Sequence, residues 1–323
     1  MFPLKQSATA EQCPPFRGPS WEGAQNAGKT VYSAIIQRPM THCQTFTTII
    51  VLLGIFCCSC DPQPTTESSP EEPFLEVIQP KFQQMLDSKN LTGAILIVNP
   101  SKRVMHSNDF AYCQKPHLPA STFKIPHSMI ALELGIVQND SSILRWDGQP
   151  RGMKIWEEDL SLHQAFRRSC VPCYQGIARR VGVDRMNRQL EKLSFGQMQV
   201  DSSNLDRFWL VGNSHISMQQ EIDFLQRLHD EQLPIQTKTS NILKKILVDE
   251  AGPDYVLSGK TGWSRDENNE NNNGWYVGYL ERGESTYFFA TNVEPKPKFD
   301  MAHFPSVRKQ ITLEALAQLR LFD

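Results

Sequence analysis

Pro119-Ala-Ser-Thr-Phe-Lys-Ile-Pro126 sets Ser121 and Lys124 three residues apart at the predicted mouth of a helix. Side chains three or four positions apart share a helical face, so this hydroxyl and this amine can meet within hydrogen-bond reach. A serine that performs acyl transfer needs a neighbouring base to take its proton. The same letters also fit an ordinary helix start, with Ser121 as N-cap and Lys124 in solvent. Ser-x-x-Lys is common by chance, so its meaning depends on what surrounds it.

Upstream, Gly93-Ala-Ile-Leu-Ile-Val-Asn99 suits a buried strand, and Arg103 to Phe110 can pair with it across Pro100-Ser101-Lys102. From about Ile125 to Gly252 the apolar pattern takes helical periods. His127 to Leu134, Leu162 to Phe166, Tyr174 to Val181 and Ser217 to Leu228 stand out, the last behind a capping-box-like Ser217-Met-Gln-Gln220. Tyr255 to Ser258, Gly274 to Leu280 and Thr286 to Asn292 read as strands before a closing helix near Val307 to Leu321. The sheet is therefore expected to draw strands from both ends of the body, with a mostly helical subdomain at about 125–250. Ser264 to Asn273, rich in Asn, reads as a solvated loop.

The 323 residues carry a net charge of -2, which leaves no broad basic surface for phosphates and argues against a nucleic-acid partner. Phe46 to Cys58 is uncharged and apolar but shorter than the ~20 residues of a spanning helix. It reads as a signal-peptide core, with Ser59-Cys60 resembling an imperfect bacterial lipoprotein box. Cys60, with Cys58 as an alternative acceptor, would carry the lipid. Some forty residues ahead of such a core are unusual, and Met40 is a candidate start beside Met1. Asp61 to Pro73 is too polar and proline-rich to bury anything. The expected organisation is an extension with a signal or lipoprotein-type segment (1–60), a tether (61–73) and a catalytic body (74–323), exported to a bacterial periplasm. Of the eight cysteines only Cys113, Cys170 and Cys173 fall in the body. The Cys170-Val-Pro-Cys173 pair reads as buried thiols on a helix, with a disulfide as the alternative in an oxidising compartment. No second Cys or His pair completes a zinc set, and the scattered histidines show no ligand spacing.

Lys260-Thr261-Gly262 follows the predicted strand at Tyr255 to Ser258. Together with Ser-x-x-Lys it forms the motif pair of penicillin-binding proteins and class A β-lactamases. Between the two lie Arg167-Arg-Ser-Cys-Val-Pro-Cys-Tyr-Gln175 and Ala178-Arg-Arg-Val-Gly182. Trp146-Asp-Gly148, Asp206-Arg-Phe-Trp-Leu-Val-Gly212 with Ile216-Ser217, Lys260-Thr-Gly-Trp263, Gly274-Trp-Tyr-Val-Gly278 and Val307-Arg-Lys309 complete the series. In this order, from about Gly93 to Leu321, these motifs closely resemble the class D, oxacillinase-type, serine β-lactamases. The resemblance implies the penicillin-recognising fold, α/β (α+β), with a central antiparallel sheet flanked by helices and a helical subdomain.

Residue by residue, the resemblance implies that Ser121 is the nucleophile and that Lys124 is the base after carbon dioxide has converted its amine to a carbamate. Only a neutral amine reacts so, and an apolar surrounding favours the neutral form; Phe123, Val171 and Trp209 would supply it. The Trp209 indole N–H could donate to the carbamate, or Trp209 is simply core. Ser169, helped by Lys260, would relay a proton to the lactam nitrogen; its plain reading is a helical serine bonded to its own backbone. Backbone N–H groups of Ser121 and Trp263 would form the oxyanion hole. Thr261, Gly262 and Arg308 would line the site for the substrate carboxylate, although an arginine on a terminal helix is usually solvated. Phe195-Gly196-Gln197 replaces the family's Tyr-Gly-Asn, which puts the shape of the site, deacylation and substrate range in doubt. No metal or organic cofactor is implied beyond carbon dioxide or bicarbonate, and a homodimer is left open. Two other classes remain: a penicillin-sensing domain that deacylates too slowly to be an enzyme, and a cell-wall D,D-peptidase, which usually has Asn where Val171 stands.

Overall fold

A computed structural model describes residues 73–265 and 272–322. The N-terminal extension, the segment around Cys60, nearly all of the tether and the centre of the Asn-rich loop lie outside the described residues. The body opens with β1 (Leu75–Ile78), α1 (Pro80–Ser88), β2 (Leu91–Asn99), β3 (Val104–Ser107) and α2 (Phe110–Cys113). A 3₁₀ turn over Ala120–Phe123 runs into α3 (Lys124–Glu133). The two short strands β4 (Ile143–Leu144) and β5 (Leu160–Ser161) pair with each other ahead of α4 (Leu162–Arg167), α5 (Val171–Val181) and α6 (Val183–Leu193). Then come α7 (Met218–His229), α8 (Thr237–Leu247), β6 (Val248–Ala251), β7 (Tyr255–Arg265), β8 (Asn272–Arg282), β9 (Ser285–Pro295) and α9 (Phe304–Gln318).

Seven strands form one sheet in the order β1-β3-β2-β9-β8-β7-β6, so both ends of the body contribute, as expected. Every pairing is antiparallel except β1 with β3, since β2 runs opposite to β1 and the β2–β3 hairpin then turns the chain back into the direction of β1. The sheet is thus mixed rather than purely antiparallel. The predicted β2–β3 hairpin forms with Asn99 opposite Val104, and the Asn99 Oδ1 accepts from the Lys102 N–H at 3.0 Å to shape the turn. The predicted capping box is also present: Ser217 Oγ accepts from the Gln220 N–H, and the Gln220 side chain accepts from the Ser217 N–H.

Why β2 reads as an unbroken apolar run follows from its two covered faces. Ala94, Leu96 and Val98 enter a core shared with Phe123, Trp209 and Trp275, whereas Ile95 and Ile97 enter a second core with Phe82, Phe289 and Ile311 of the α1/α9 side. Strand alternation sorts one sequence into two layers.

The sequence placed Lys260 to Gly262 just beyond a strand end; β7 instead runs through them to Arg265. Its pairing with β8 stays in register from Tyr255–Arg282 to Arg265–Asn272, while β6 pairs with it only as far as Ser258. Past Ser258, β7 has no strand on that side among the described residues, and the Ala120–Phe123 turn packs there instead. Gly262 permits the approach, because a Cβ would lie 3.2 Å from both the Pro119 carbonyl oxygen and Thr122 Cγ2.

Phe289 has no exposed surface in the α1/α9 layer. Phe289→Ala should cost about 3–5 kcal/mol through lost burial and a residual cavity. An unchanged denaturant midpoint would remove this layer from the cooperative core.

Candidate active site

Ser121 sits within the 3₁₀ turn, and its side chain caps no helix. Ala120, just before it, has φ 53°, a left-handed conformation that a non-glycine residue holds only when its surroundings impose it. Those surroundings are visible. Leu118 O accepts from Trp275 Nε1 at 2.8 Å and from Asn273 Nδ2 at 2.7 Å, and Pro119 O accepts from the Thr122 N–H at 3.2 Å. Lys124 Nζ donates to Ser121 Oγ at 2.8 Å, the contact the three-residue spacing anticipated.

Lys124 is fully buried, with Nζ 5.2 Å from the centre of the Tyr174 ring. Burial penalises the ammonium and brings the amine down to about 7, so the neutral form is abundant at neutral pH. Phe123 stacks on Trp209 at 5.7 Å and meets Phe195 at 5.8 Å, and His127, one turn after Lys124, meets Trp209 at 5.2 Å. Phe195 is therefore an apolar wall of this box. Gly196 follows with φ 55°, where a Cβ would fall 2.6 Å from the His215 carbonyl oxygen. Two groups in the box are conspicuous: Trp209 Nε1 and both ring nitrogens of His127 are buried without hydrogen-bond partners among the described residues.

Across the site, Ser169 links α4 to α5 with φ 52° rather than lying inside a helix. Its Oγ accepts from Lys260 Nζ at 3.2 Å, and Lys260 Nζ also donates to Thr261 O at 2.7 Å. Lys260 is 4% exposed; burial, together with repulsion from Lys124, Arg308 and Arg167, holds its amine well below the ordinary lysine value. Arg167 at the end of α4 pairs with Asp249, which also accepts from Tyr276 Oη at 2.8 Å and pairs with Lys309 at 2.9 Å. Burial pushes the Asp249 carboxyl up, but those three partners more than offset it and hold it ionised. This junction ties α4, β6, β8 and α9 together around Ser169.

Arg308 is 6% exposed, so the solvated alternative does not hold. Its Nε donates to Phe304 O at 3.0 Å, its Nη2 to Pro305 O at 2.9 Å and its Nη1 to Gly262 O. Burial lowers it only to about 10, which leaves it charged at neutral pH.

One cavity of about 270 Å³ is lined by Ser121, Ser169 and Val171 together with Thr261, Gly262, Trp263 and Arg308. Phe123, Lys124, Trp209 and Lys260 lie buried behind it. The sequence missed four further lining residues, Met153, Trp156, Arg168 and Pro305. Arg168 sits in the quoted Arg167–Gln175 motif without having been singled out, whereas Met153, Trp156 and Pro305 lie outside every motif quoted from the sequence.

A sequence model of the penicillin binding protein transpeptidase domain matches residues 85–316. β-Lactamase OXA-10 of Pseudomonas aeruginosa is 41% identical over 215 residues, 66% of this chain and 80% of that relative. Among solved structures, the class D β-lactamase YbXI from Nostoc superposes with a TM-score of 0.69 at 38% identity, covering 74% of this chain and 98% of the other. A class D β-lactamase from Sebaldella termitidis does so with a TM-score of 0.72 at 31% identity, covering 77% and 98%.

The chain belongs to the class D β-lactamases.

As a class D serine β-lactamase it is a hydrolase of β-lactams, and two features of its site were not read correctly or at all from sequence. Cys170 and Cys173 form a disulfide rather than free thiols, leaving Cys113 as the free, buried cysteine among the described residues. Cys170 caps α5 and Cys173 stands in its first turn, which brings the two Cα atoms to 5.4 Å, within bridging range. The second feature is Glu221 of α7, fully buried, whose Oε1 lies 2.5 Å from Thr122 Oγ1. Thr122 Oγ1 also lies 2.8 Å from the acceptor-only Pro119 O. One hydroxyl carries one proton, so both contacts are satisfied only if Glu221 is itself protonated and donates. Burial raises its carboxyl to about 8, in agreement with that count.

A carboxyl raised in the folded state stabilises the fold fully below its ordinary value of 4.5, and that contribution is lost as pH rises through about 8. Glu221→Gln keeps a donor and cannot ionise. In the β-lactamase its thermal midpoint should therefore stay level over that range while the wild-type midpoint falls; parallel curves would refute a neutral Glu221.

Proposed function

We propose that this β-lactamase opens the lactam by attack of Ser121 Oγ, with Lys124 acting as base in its N-carboxylated form. The observation that carries the reading is the fully buried Lys124 amine, 2.8 Å from Ser121 Oγ and shifted to about 7. A carboxylate on that nitrogen fits the site: the amine is readily neutral, and the buried Trp209 Nε1 is a donor in need of an acceptor. Carbon dioxide, taken up reversibly from bicarbonate, would supply an oxygen base where the lysine alone offers only nitrogen.

In the proposed cycle, Ser121 Oγ passes its proton to the Lys124 side chain as it bonds to the lactam carbonyl carbon. The N–H groups of Ser121 and Trp263 receive the developing oxyanion. Ser169 Oγ then hands a proton to the lactam nitrogen as the C–N bond breaks, and the proton that the Lys124 side chain accepted passes by way of the Lys260 amine to reprotonate Ser169, which leaves Lys124 free to take another. Arg308 spends three of its five donors on backbone carbonyls, so two remain for the substrate carboxylate beside Thr261. A water deprotonated at Lys124 hydrolyses the acyl-enzyme and frees Ser121. The cycle draws on no metal or organic cofactor. Export, with Cys60 as a lipid anchor, belongs to the same proposal; the Cys170–Cys173 disulfide supports an oxidising compartment.

Lys124→Ala should lower nitrocefin turnover by about 10²–10⁴-fold, the range a general base contributes, and leave at most a slowly released acyl-enzyme detectable by mass. Bicarbonate should sustain wild-type turnover and do nothing for the variant. Undiminished hydrolysis by Lys124→Ala would sink the mechanism, and a stable adduct on the wild type would favour a penicillin sensor.

A further inference from the structure

Ser169 and Val171, which both line the active-site cavity, flank Cys170, which is bonded to Cys173. The backbone there is unusually constrained. Ser169 holds its left-handed φ, its N–H donates to Phe166 O at 3.1 Å, and the Cys170 N–H donates to Ala165 O at 2.9 Å. Beyond it the Cys173 N–H meets Cys170 Sγ at 3.3 Å, and Pro172 occupies the first turn of α5. The disulfide closes this turn immediately after the serine, so opening it releases the side of Ser169 that hydrogen bonds from α4 do not fix.

The bridge is also reachable. Cys170 is buried, but Cys173 is partly exposed and lines a separate cavity of about 370 Å³ with Trp146, Pro172, Ile177 and Arg180. Trp156 lines this cavity and the active-site cavity alike, so the disulfide lies in the partition between them. A thiolate leaving from Cys170 would sit at the N-terminus of α5, accepting from the Cys173 N–H, which favours its departure.

We propose that the Cys170–Cys173 disulfide is a redox-responsive clamp that positions Ser169 and Val171, so that reduction by a dithiol lowers β-lactam turnover and reoxidation restores it. The inference rests on the role proposed above for Ser169 and on the apolar surrounding that the family resemblance expects Val171 to give Lys124. In the reduction, one thiolate of the dithiol attacks Cys173 Sγ, the Sγ–Sγ bond breaks, and Cys170 leaves as a thiolate and takes a proton. The second thiol of the reagent then displaces Cys173, forming a cyclic disulfide. Two electrons and two protons pass to the protein. Oxidised glutathione reverses the change and leaves as two glutathione thiols.

The test uses the full chain in detergent, before and after dithiothreitol. Trypsin releases Ser169 to Arg179 as one peptide that contains this cysteine pair and no other cysteine, so its mass reports the redox state. Reduction should lower kcat/KM for nitrocefin about tenfold or more, since small misplacements of a reacting group carry such penalties. It should also raise the bicarbonate concentration needed for half-maximal turnover, as the apolar cover expected of Val171 is lost from the Lys124 pocket, and glutathione disulfide should reverse both. The double variant Cys170→Ala/Cys173→Ala should show the reduced-state values and ignore dithiothreitol. Three results would overturn the inference: a peptide that stays oxidised in the folded protein, a reduced protein whose kcat/KM lies within about twofold of the oxidised one, or loss of the far-ultraviolet circular dichroism signal on reduction, which would make the bridge a fold staple. Hydrolysis indifferent to bicarbonate in the oxidised protein would instead sink the carbamate reading and leave the kcat/KM comparison to decide this one.

Discussion

Withdrawal of the Lys124 amine from water is the constraint on which the site depends. An ammonium in that position would be an uncompensated buried charge, and the enclosing Phe123, Tyr174, His127 and Trp209 rings offer it no carboxylate. The amine answers by shedding its proton readily, and among the described residues its one hydrogen bond is to Ser121 Oγ. Lys260 repeats the logic on the opposite side against Ser169. Two serines thus each face a lysine whose charge the fold suppresses, while Arg308, whose guanidinium burial cannot discharge at neutral pH, supplies the positive charge.

The sheet makes this possible by ending a strand early. Because β6 stops pairing at Ser258, the outer edge of β7 is left for the nucleophile turn, and Gly262 lets the two backbones approach. The turn is held in place by the indole of Trp275 and the amide of Asn273, both from β8, so the sheet that carries one half of the cavity also pins the other half. Asp249 then fixes the end of α4 through Arg167 and the base of α9 through Lys309. Ala120 and Ser169, two of the eight non-glycine residues with left-handed φ among the described residues, stand beside the reacting groups, where packing offsets a strain of about 1–3 kcal/mol each.

Around the reacting groups the walls are largely apolar. Phe195 presents a ring to Phe123 and Phe224 without a hydroxyl. Met153 and Trp156 add apolar surface at the cavity. Trp263 is fixed by a hydrogen bond from its Nε1 to Asn272 Oδ1 at 3.0 Å, which couples the rim to the start of β8.

Motif chemistry was legible in the chain because it is local: Ser121 and Lys124 meet through helical spacing, the Ser217 capping box forms within four residues, and the β2–β3 turn closes on itself. Alternation and helical period likewise located most elements, since a face must be apolar wherever it is buried. What the sequence could not contain was any property set by distant neighbours. Strand β7 extends past its apolar stretch because β8 continues to pair with it, Arg308 is buried because the β7 edge lies beside α9, and the Glu221 carboxyl is raised because α7 buries it against Thr122. The Cys170–Cys173 bond belongs to the same class, since spacing allowed it but only the turn between α4 and α5 brought the two sulfurs together. Sequence by itself determined which groups could do chemistry; tertiary structure decided their protonation, because charge depends on desolvation, and desolvation is a sum over everything packed around a group.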